Sequence, residues 1–243
     1  MKLVSTTDRA DLDAQVGDLF GEHWPEYIFH DSGVRRFMDR RAKYFADWDF
    51  YALGDDDELV GLCYGVPIRW ARSLEDLPEG YTDALARSVT EHEAGTEPDT
   101  LVVMGAMVRK DRAGQGLAGE VLTLLRDEAS ARGLTAVVAP VRPTLKSSYP
   151  VADIETFAAW KRADGLPLDP WLRTHVRLGA SVLCVAPRSQ TITGTVEEWQ
   201  SWTGLQLPES GDYVIPDGLA LLRVDVEGDS GVYHDPNVWM RHV

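Results

Sequence analysis

The feature that most constrains this fold is an apolar strand that leads directly into a glycine-containing turn and a helix. Residues 100–108 (TLVVMGAMV) are apolar at almost every position, which predicts a strand covered on both faces. Gly114 and Gly116 follow, and apolar residues then recur at helical spacing over 117–133. A second apolar strand is predicted at 134–141. Strand, helix and strand in this order form a β-α-β unit, whose strands are normally parallel with a right-handed crossover.

The segment before this unit predicts helices and an antiparallel pair of strands. Thr7 and Ser32 are placed to cap two helices. Strands are predicted at 49–53 and 59–68, joined by an acidic turn that favours a hairpin. A helical patch around Tyr81 follows them. Together with the parallel unit, these elements predict a mixed α/β (α+β) fold whose central sheet is mostly antiparallel.

The last hundred residues continue with clear start and stop signals. Asp153, Asp169 before Pro170, and Thr195 each occupy a position typical of a helix N-cap. Short strands are predicted at 181–186, 219–226 and 232–239. Because there is no internal repeat and no flexible linker, we predict one domain over residues 1–243.

The charge balance argues against two classes of partner. The 243 residues include 39 acidic and 24 basic side chains, a formal net charge of −15. Such a chain repels nucleic acid and anionic lipid, so we expect neither as a partner. The longest charge-free apolar run, 101–108, is too short to span a bilayer.

Cysteine and histidine usage suggests a reducing compartment and no metal site. Cys63 and Cys184 lie in apolar runs, which favours buried free thiols. The first residues lack the apolar core of a signal peptide, so we expect a cytoplasmic protein. The six histidines show no H-E-x-x-H or i, i+4 spacing, so we predict no metal site.

The glycine turn has the chemistry of a diphosphate site. Glycines at a helix start let backbone N–H groups approach an anion, and the helix dipole adds positive potential there. Arg109, Lys110 and Arg112 add cationic character. Residues 114–119 also spell G-x-G-x-x-G, but antiparallel strands precede the unit and Arg142 follows the next strand where a dehydrogenase needs an acid. A dehydrogenase is therefore disfavoured, and a plain helix-capping turn remains an alternative.

The order of elements over residues 1–150 resembles the GNAT superfamily of N-acetyltransferases. The family's loop pattern, Arg/Gln-x-x-Gly-x-Gly/Ala, maps onto residues 113–118 with alanine in the first position and Arg112 one residue earlier. The resemblance implies acetyl-coenzyme A as cosubstrate, a core of residues 1–150 that binds it, and an extension over 151–243 that completes the sheet and the acceptor side. It assigns coenzyme A binding to Met107, Val108, Arg112, Ala113, Gly114, Gln115, Gly116, Leu117 and Ala118.

The resemblance also supplies candidates for the proton transfers. The family's Asn-Pro-x-Ala-x-x-x-Tyr run maps onto residues 142–149, which makes Tyr149 the candidate general acid. Strand 100–108 carries no carboxylate, so the base has to come from elsewhere, and Glu26 is the candidate we select. Other candidates for the base are Glu22, His30, Asp31, His175 and His242.

The implied activity is acyl transfer, most simply acetyl, from coenzyme A to the amine of a small molecule by direct attack. Two alternatives stay open. One is a catalytically silent coenzyme A-binding or interaction module, suggested by Ala113 and the acid-free strand. The other is a family member that carries out different thioester chemistry, such as O-acyl transfer. The sequence also leaves a homodimer open.

Overall fold

The computed structural model describes residues 1–21 and 24–242, and within them nine strands form one twisted sheet. The strands are β1 Lys2–Ser5, β2 Asp49–Leu53, β3 Leu59–Ile68, β4 Thr100–Val108, β5 Ala136–Val141, β6 Ser181–Gly194, β7 Gly211–Tyr213, β8 Leu222–Asp225 and β9 Ser230–His242. The helices are α1 Asp13–Gly21, α2 Ser32–Tyr44, α3 Tyr81–Glu93, α4 Leu117–Ala131, α5 Ile154–Ala159, α6 Pro170–Arg177 and α7 Val196–Thr203. Short 3₁₀ turns cover Thr6–Leu12, Glu26–His30, Ala46–Trp48, Lys110–Arg112 and Lys146–Ser148.

The sheet is antiparallel except for one pair. Its order is β1-β2-β3-β4-β5-β9-β8-β7, and β6 pairs with β9 along the other edge of that strand. The parallel pair is β4 and β5, joined through α4. The mixed α/β fold with a mostly antiparallel sheet, predicted from sequence, is therefore confirmed. The C-terminal half contributes four strands, and β9 joins it to the rest of the sheet by pairing with β5.

Several predicted elements agree closely with the structure because their sequence signals are local. The predicted strands at 49–53, 59–68 and 100–108 have the bounds of β2, β3 and β4. The Thr195 capping box is present in full, and Asp169 accepts two backbone N–H bonds ahead of Pro170. Local hydrogen-bonding chemistry thus determined these helix starts.

Other predicted boundaries were wrong. Ser5 rather than Thr7 caps the first helical turn, and that turn is 3₁₀ before α1 begins. Asp31 rather than Ser32 caps α2, accepting from Gly33 and Val34. Its carboxylate also accepts from the Thr82 hydroxyl and the Thr191 N–H, so tertiary contacts selected this residue. Strands β1 and β7 were not predicted, and β6 and β9 are longer than predicted.

The core lies on both faces of the sheet. The largest cluster of buried side chains joins β2–β5 to α3 and α4, and it includes Leu101, Val138, Leu125 and Trp239. A second cluster beneath β6, β8 and β9 contains Tyr27, Trp199 and Tyr233. None of the helices within residues 1–21 and 24–242 combines the length and the hydropathy that a bilayer span requires.

Candidate active site

The parallel strands β4 and β5 part after a short stretch of pairing. Thr100, Leu101 and Val102 lie opposite residues 136–138, and the pairing ends there. Between Val103 and Gly105, β4 carries an extra residue relative to β3, Met104. A bulge of this kind bends its strand and increases its local twist. The result is a gap between β4 and β5 that widens toward their C-terminal ends.

This gap is continuous with a cavity of about 730 Å³. Its walls come from α1 and the segments on either side of it, from α2, the strands β2–β5 and α4, and from the C-terminal half. The polar or ionisable residues among its lining are Thr6, Asp13, Arg35, Arg41, Asp49, Tyr51, Cys63, Tyr64, Tyr81, Arg142, Thr144, His175, Gln190 and Asn237. A largely apolar cavity with a few convergent polar groups is typical of a small-molecule site.

The glycine turn lies at the start of α4. Gly114 and Gly116 have φ of 78° and 83°, a conformation that side-chain-bearing residues rarely adopt. Gly116 is the N-cap, and its carbonyl accepts from Gly119 and Glu120. Within the described part of the chain, no hydrogen bond satisfies the N–H groups of residues 114–118. A Cβ added at either glycine would meet no atom within 4 Å. A row of unpaired donors beside open space, at a helix N-terminus, fits a diphosphate.

Two of the basic side chains near this turn are engaged by acids. Arg112 donates to Glu58 Oε1 at 2.7 Å, and Arg109 donates through two nitrogens to Asp111. The Arg109 guanidinium lowers the pKa of the Asp111 carboxyl through a side-chain hydrogen bond. Backbone donors and the helix dipole therefore dominate the anion site, and these two arginines contribute only partly neutralised charge.

The backbone of β4 presents alternate residues to the gap. The Arg109 N–H donates to Val60 O at 2.8 Å, so the main chain of Met107, two residues earlier, also faces β3. The main chains of Ala106 and Val108 face the opposite edge, from which β5 has diverged. Met107 lines the cavity, and its sulfur accepts from Trp24 Nε1 at 3.2 Å. An extended ligand in the gap would therefore meet the backbone of Ala106 and the side chain of Met107.

One wall of the cavity is acidic. Tyr51 donates its hydroxyl to Asp13 Oδ1 at 2.5 Å, and both residues line the cavity. Asp49 is held by Arg41, whose guanidinium also lies over the Tyr64 ring at 5.0 Å. Burial raises the pKa of the Tyr51 hydroxyl, and the hydrogen bond to Asp13 raises it further. Since Asp49 already pairs with a cation, Asp13 is the carboxylate of this wall that can receive another.

A buried cation lies in another part of the lining. Arg142, directly after β5, donates to Asp235 through Nε and Nη2 and to Asp217 O through Nη2. The Asp235 carboxylate also accepts from the Tyr233 hydroxyl at 2.8 Å. Arg142 Nη1 has no hydrogen-bond partner among the described residues. The arginine that stands where a dehydrogenase would need an acid is thus anchored by a partner 93 positions away.

A histidine pair joins α6 to the end of β9. His175, on α6, is 1% exposed and lines the cavity. Its Nδ1 is 2.8 Å from Nε2 of His242, on β9. Burial is the main cause that lowers the pKa of His175 to about 3 and that of His242 to about 4. Both rings are therefore neutral near pH 7.

The structure separates the two predicted catalytic residues from the cavity lining. Tyr149 is 41% exposed and packs edge-on against Trp160. The Glu26 side chain is 64% exposed and accepts a hydrogen bond from His30 Nε2 at 3.0 Å, and the His30 ring stacks on Trp202. Asp31 acts as a structural cap, and Glu22 lies outside the described residues. Of the predicted coenzyme A-binding residues, Met107 and Ala118 line the cavity, and the glycine turn directly precedes Ala118 along the chain. Asp13, Tyr51 and Arg142 also line the cavity and were not recognised from sequence.

Comparison with known proteins places this geometry in context. Residues 16–153 match the Acetyltransferase (GNAT) family. An arginine N-acetyltransferase, avaD of Aspergillus versicolor, is 30% identical over 247 residues, covering 90% of this chain and 84% of that protein. The GphF GNAT-like decarboxylase, solved with isobutyryl-CoA, superposes with a TM-score of 0.54 at 18% identity, over 96% of this chain and 95% of that one. The loading GNATL domain of CurA from Lyngbya majuscula gives 0.51 at 16% identity, over 84% and 80%. These two structures show a shared fold.

Proposed function

The chain belongs to the GNAT acetyltransferase family and is an acetyl-coenzyme A-dependent N-acetyltransferase, and we propose that its acceptor is arginine or a closely related cationic amine. The observation that carries the activity is the row of unpaired N–H groups of residues 114–118 at the mouth of the β4/β5 gap. These donors suit the diphosphate of coenzyme A, and the gap suits its extended pantetheine arm.

Binding of the cosubstrate is assigned to the predicted residues, with distinct roles. The backbone N–H groups of residues 114–118 would hold the diphosphate, and the positive φ of Gly114 and Gly116 aims those groups outward. Met107 and Val108 would border the pantetheine arm along β4. Arg112 and Ala113, which directly precede Gly114, would border the diphosphate on that side of the loop. These assignments are proposals, as are the roles of Tyr149 and Glu26 and the division of the domain at residue 150.

The acceptor class is supported by the charges of the cavity lining and by the relative's printed activity. Carboxylates bind guanidinium groups through paired, charge-assisted hydrogen bonds. Asp13 is available for such a contact, and Arg142 Nη1 is available to a substrate carboxylate. A free amino acid with a cationic side chain would engage both.

The chemistry is direct attack of the acceptor nitrogen on the thioester carbonyl. The cavity contributes by holding the nucleophile against the gap, which replaces a bimolecular encounter by a positioned reaction. The nitrogen has to lose a proton, and the departing thiolate has to gain one. The mostly apolar lining excludes bulk water and so limits hydrolysis of the thioester.

Two measurements test the proposal. Calorimetry with coenzyme A should show saturable binding, and a thiol-release assay with acetyl-coenzyme A should show turnover with arginine and formation of N-acetylarginine by mass spectrometry. Binding without thiol release on any amine would favour the silent module. Release with hydroxyl acceptors alone would favour O-acyl transfer. Turnover with uncharged amines but not with arginine would reject the acceptor class while leaving the activity intact. A cytoplasmic location remains a prediction from sequence.

A further inference from the structure

A row of cavity-lining side chains runs across the strands from β2 to β4. Tyr51 of β2 is in register with Leu62 of β3, and Leu62 is in register with Met107 of β4. Residues directly opposite one another on neighbouring strands point to the same face of a sheet. All three line the cavity, and Asp13 accepts from the Tyr51 hydroxyl at the β2 end of the row.

Trp24 continues this row across the gap to the end of β5. Its Nε1 donates to Met107 Sδ at 3.2 Å, and the guanidinium carbon of Arg142 lies 5.6 Å from the centre of a Trp24 ring. Arg142 directly follows Val141, the last residue of β5. Met107 therefore borders the gap on the β4 side, Arg142 borders it on the β5 side, and Trp24 contacts both.

The two charged side chains proposed to bind the acceptor thus lie at unequal distances from the gap. Arg142 borders the gap, and its side chain is 14% exposed. Asp13 is exposed and is tied to β2, which is two strands from β4, or about 10 Å. An acceptor that binds both side chains has to lie across the strands, with its carboxylate beside the gap and its cationic end away from it.

We propose that the α-carboxylate of the acceptor binds Arg142 and its cationic side chain binds Asp13, so that the α-amine, and not a side-chain nitrogen, is acetylated. The proposal rests on the proposed function, since it needs acetyl-coenzyme A in the gap and an amino acid in the cavity. In a free amino acid the α-amine is attached to the carbon that bears the carboxylate, so it lies at the gap when the carboxylate does. A guanidinium held by Asp13 lies on the β2 side of the cavity, away from a thioester in the gap.

The transfer balances with the α-amine as the nucleophile. The α-ammonium group first releases one proton to solvent, which gives the neutral amine. The nitrogen lone pair then forms a bond to the acetyl carbonyl carbon, and the carbon–sulfur bond breaks with its electron pair left on sulfur. The nitrogen loses a second proton and the sulfur gains one, so the products are the Nα-acetyl amino acid and the neutral thiol of coenzyme A. The guanidinium stays protonated throughout.

Lysine as the acceptor separates this orientation from plain reactivity. A guanidinium is a poor nucleophile because it stays protonated, so arginine would react at its α-amine in other orientations as well. Both amines of lysine are nucleophilic once deprotonated, and its side-chain ammonium can also bind Asp13. With the wild-type protein and acetyl-coenzyme A, we expect Nα-acetyllysine to exceed Nε-acetyllysine at least about tenfold, as one charge-assisted contact can produce. Chromatography against both standards measures this ratio.

A double variant, Arg142→Met with Asp235→Asn, tests the contact that orients the acceptor. It removes the guanidinium without leaving a buried carboxylate unpaired, and the ratio of Nα to Nε product should fall about tenfold. Arg223→Met with Asp212→Asn is the matched control, because this ion pair is exposed and lies outside the cavity lining, and the ratio should not change. A ratio unchanged in the Arg142 double variant would overturn the proposal.

The wild-type products decide the proposal even if a variant does not fold. Nα-acetyllysine offered as an acceptor should release no thiol, because its α-amine is blocked. Nε-acetyllysine as the main product from lysine, or thiol release with Nα-acetyllysine, would leave the proposed function intact and overturn the orientation. Absence of thiol release with arginine and with lysine would reject the proposed acceptor class and the orientation together.

Discussion

Arg142 and Asp235 form a buried ion pair that joins the end of β5 to β9 at the wall of the cavity. Arg142 Nε lies 3.0 Å from Asp235 Oδ2, and Asp235 is fully buried. The carboxylate is completed by the Tyr233 hydroxyl and by Asn237 Nδ2. The pair fixes the orientation of the guanidinium, so Nη1 is presented to the cavity without the entropy cost of ordering a free arginine.

Replacing Arg142 should change both the free energy of unfolding and the recognition of the acceptor's carboxylate, and a second substitution should separate the two effects. Arg142→Met leaves Asp235 buried without its partner, so we expect a loss of about 3–5 kcal/mol in the free energy of unfolding by urea. The double variant with Asp235→Asn should recover much of that loss. Neither variant should discriminate arginine from agmatine, which lacks the carboxylate, whereas the wild type should prefer arginine at least about tenfold in kcat/KM. Equal use of the two acceptors by the wild type would contradict this role.

Gly116 and Gly133 provide a matched pair at the two ends of α4. Both have positive φ, 83° and 85°, and a Cβ at either would meet no atom within 4 Å. Each glycine-to-alanine change should therefore cost about 1–2 kcal/mol of folding free energy through backbone strain. Only Gly116→Ala should also weaken coenzyme A binding, by about tenfold or more in calorimetry, because it re-aims the N–H groups of residues 116–118. Similar affinities for the two variants would show that the diphosphate binds elsewhere.

The sequence predicts those parts of the molecule that local chemistry determines. The apolar run of β4 and the glycines at both ends of α4 identify the parallel unit and its turn. The N-cap chemistry of Asp169 and Thr195 identifies two helix starts. In each case the residues that signal the structure also make the contacts that stabilise it.

The remaining part of the site depends on contacts between distant residues. Asp13 and Tyr51 are 38 positions apart, and Arg142 and Asp235 are 93 apart. Neither pair has a spacing that a periodic pattern could reveal, because the strand order brings them together. His175 and His242 are 67 positions apart, and only the fold brings their rings to a contact of 2.8 Å.

The Asp13 carboxylate should set the affinity for a cationic acceptor. Asp13→Asn keeps an acceptor for the Tyr51 hydroxyl and removes the charge, so we expect KM for arginine to rise about tenfold or more. KM for acetyl-coenzyme A should not change. Asp11→Asn is the control, because Asp11 pairs with Arg9 and is not among the cavity lining. An unchanged KM for arginine in Asp13→Asn would place the side chain of the acceptor against another wall.

The buried histidines should make the protein lose stability as the solution becomes acidic. An unfolded histidine titrates near 6.5, while burial lowers the pKa of His175 to about 3 and of His242 to about 4 in the folded protein. Between these values the unfolded chain binds more protons, so this contribution is complete above pH 6.5 and is lost as the pH falls through the window.

The free energy of unfolding is expected to fall with decreasing pH by up to about 1 kcal/mol per pH unit for each histidine. In urea unfolding, the double variant His175→Gln with His242→Gln should show a weaker pH dependence of the free energy of unfolding between pH 6.5 and 4. Thr195→Ala, which breaks a capping box elsewhere, should lower stability by about 1 kcal/mol at every pH without changing the slope. A double variant whose slope equals that of the wild type would mean that both rings accept protons in the folded state as readily as in the unfolded chain.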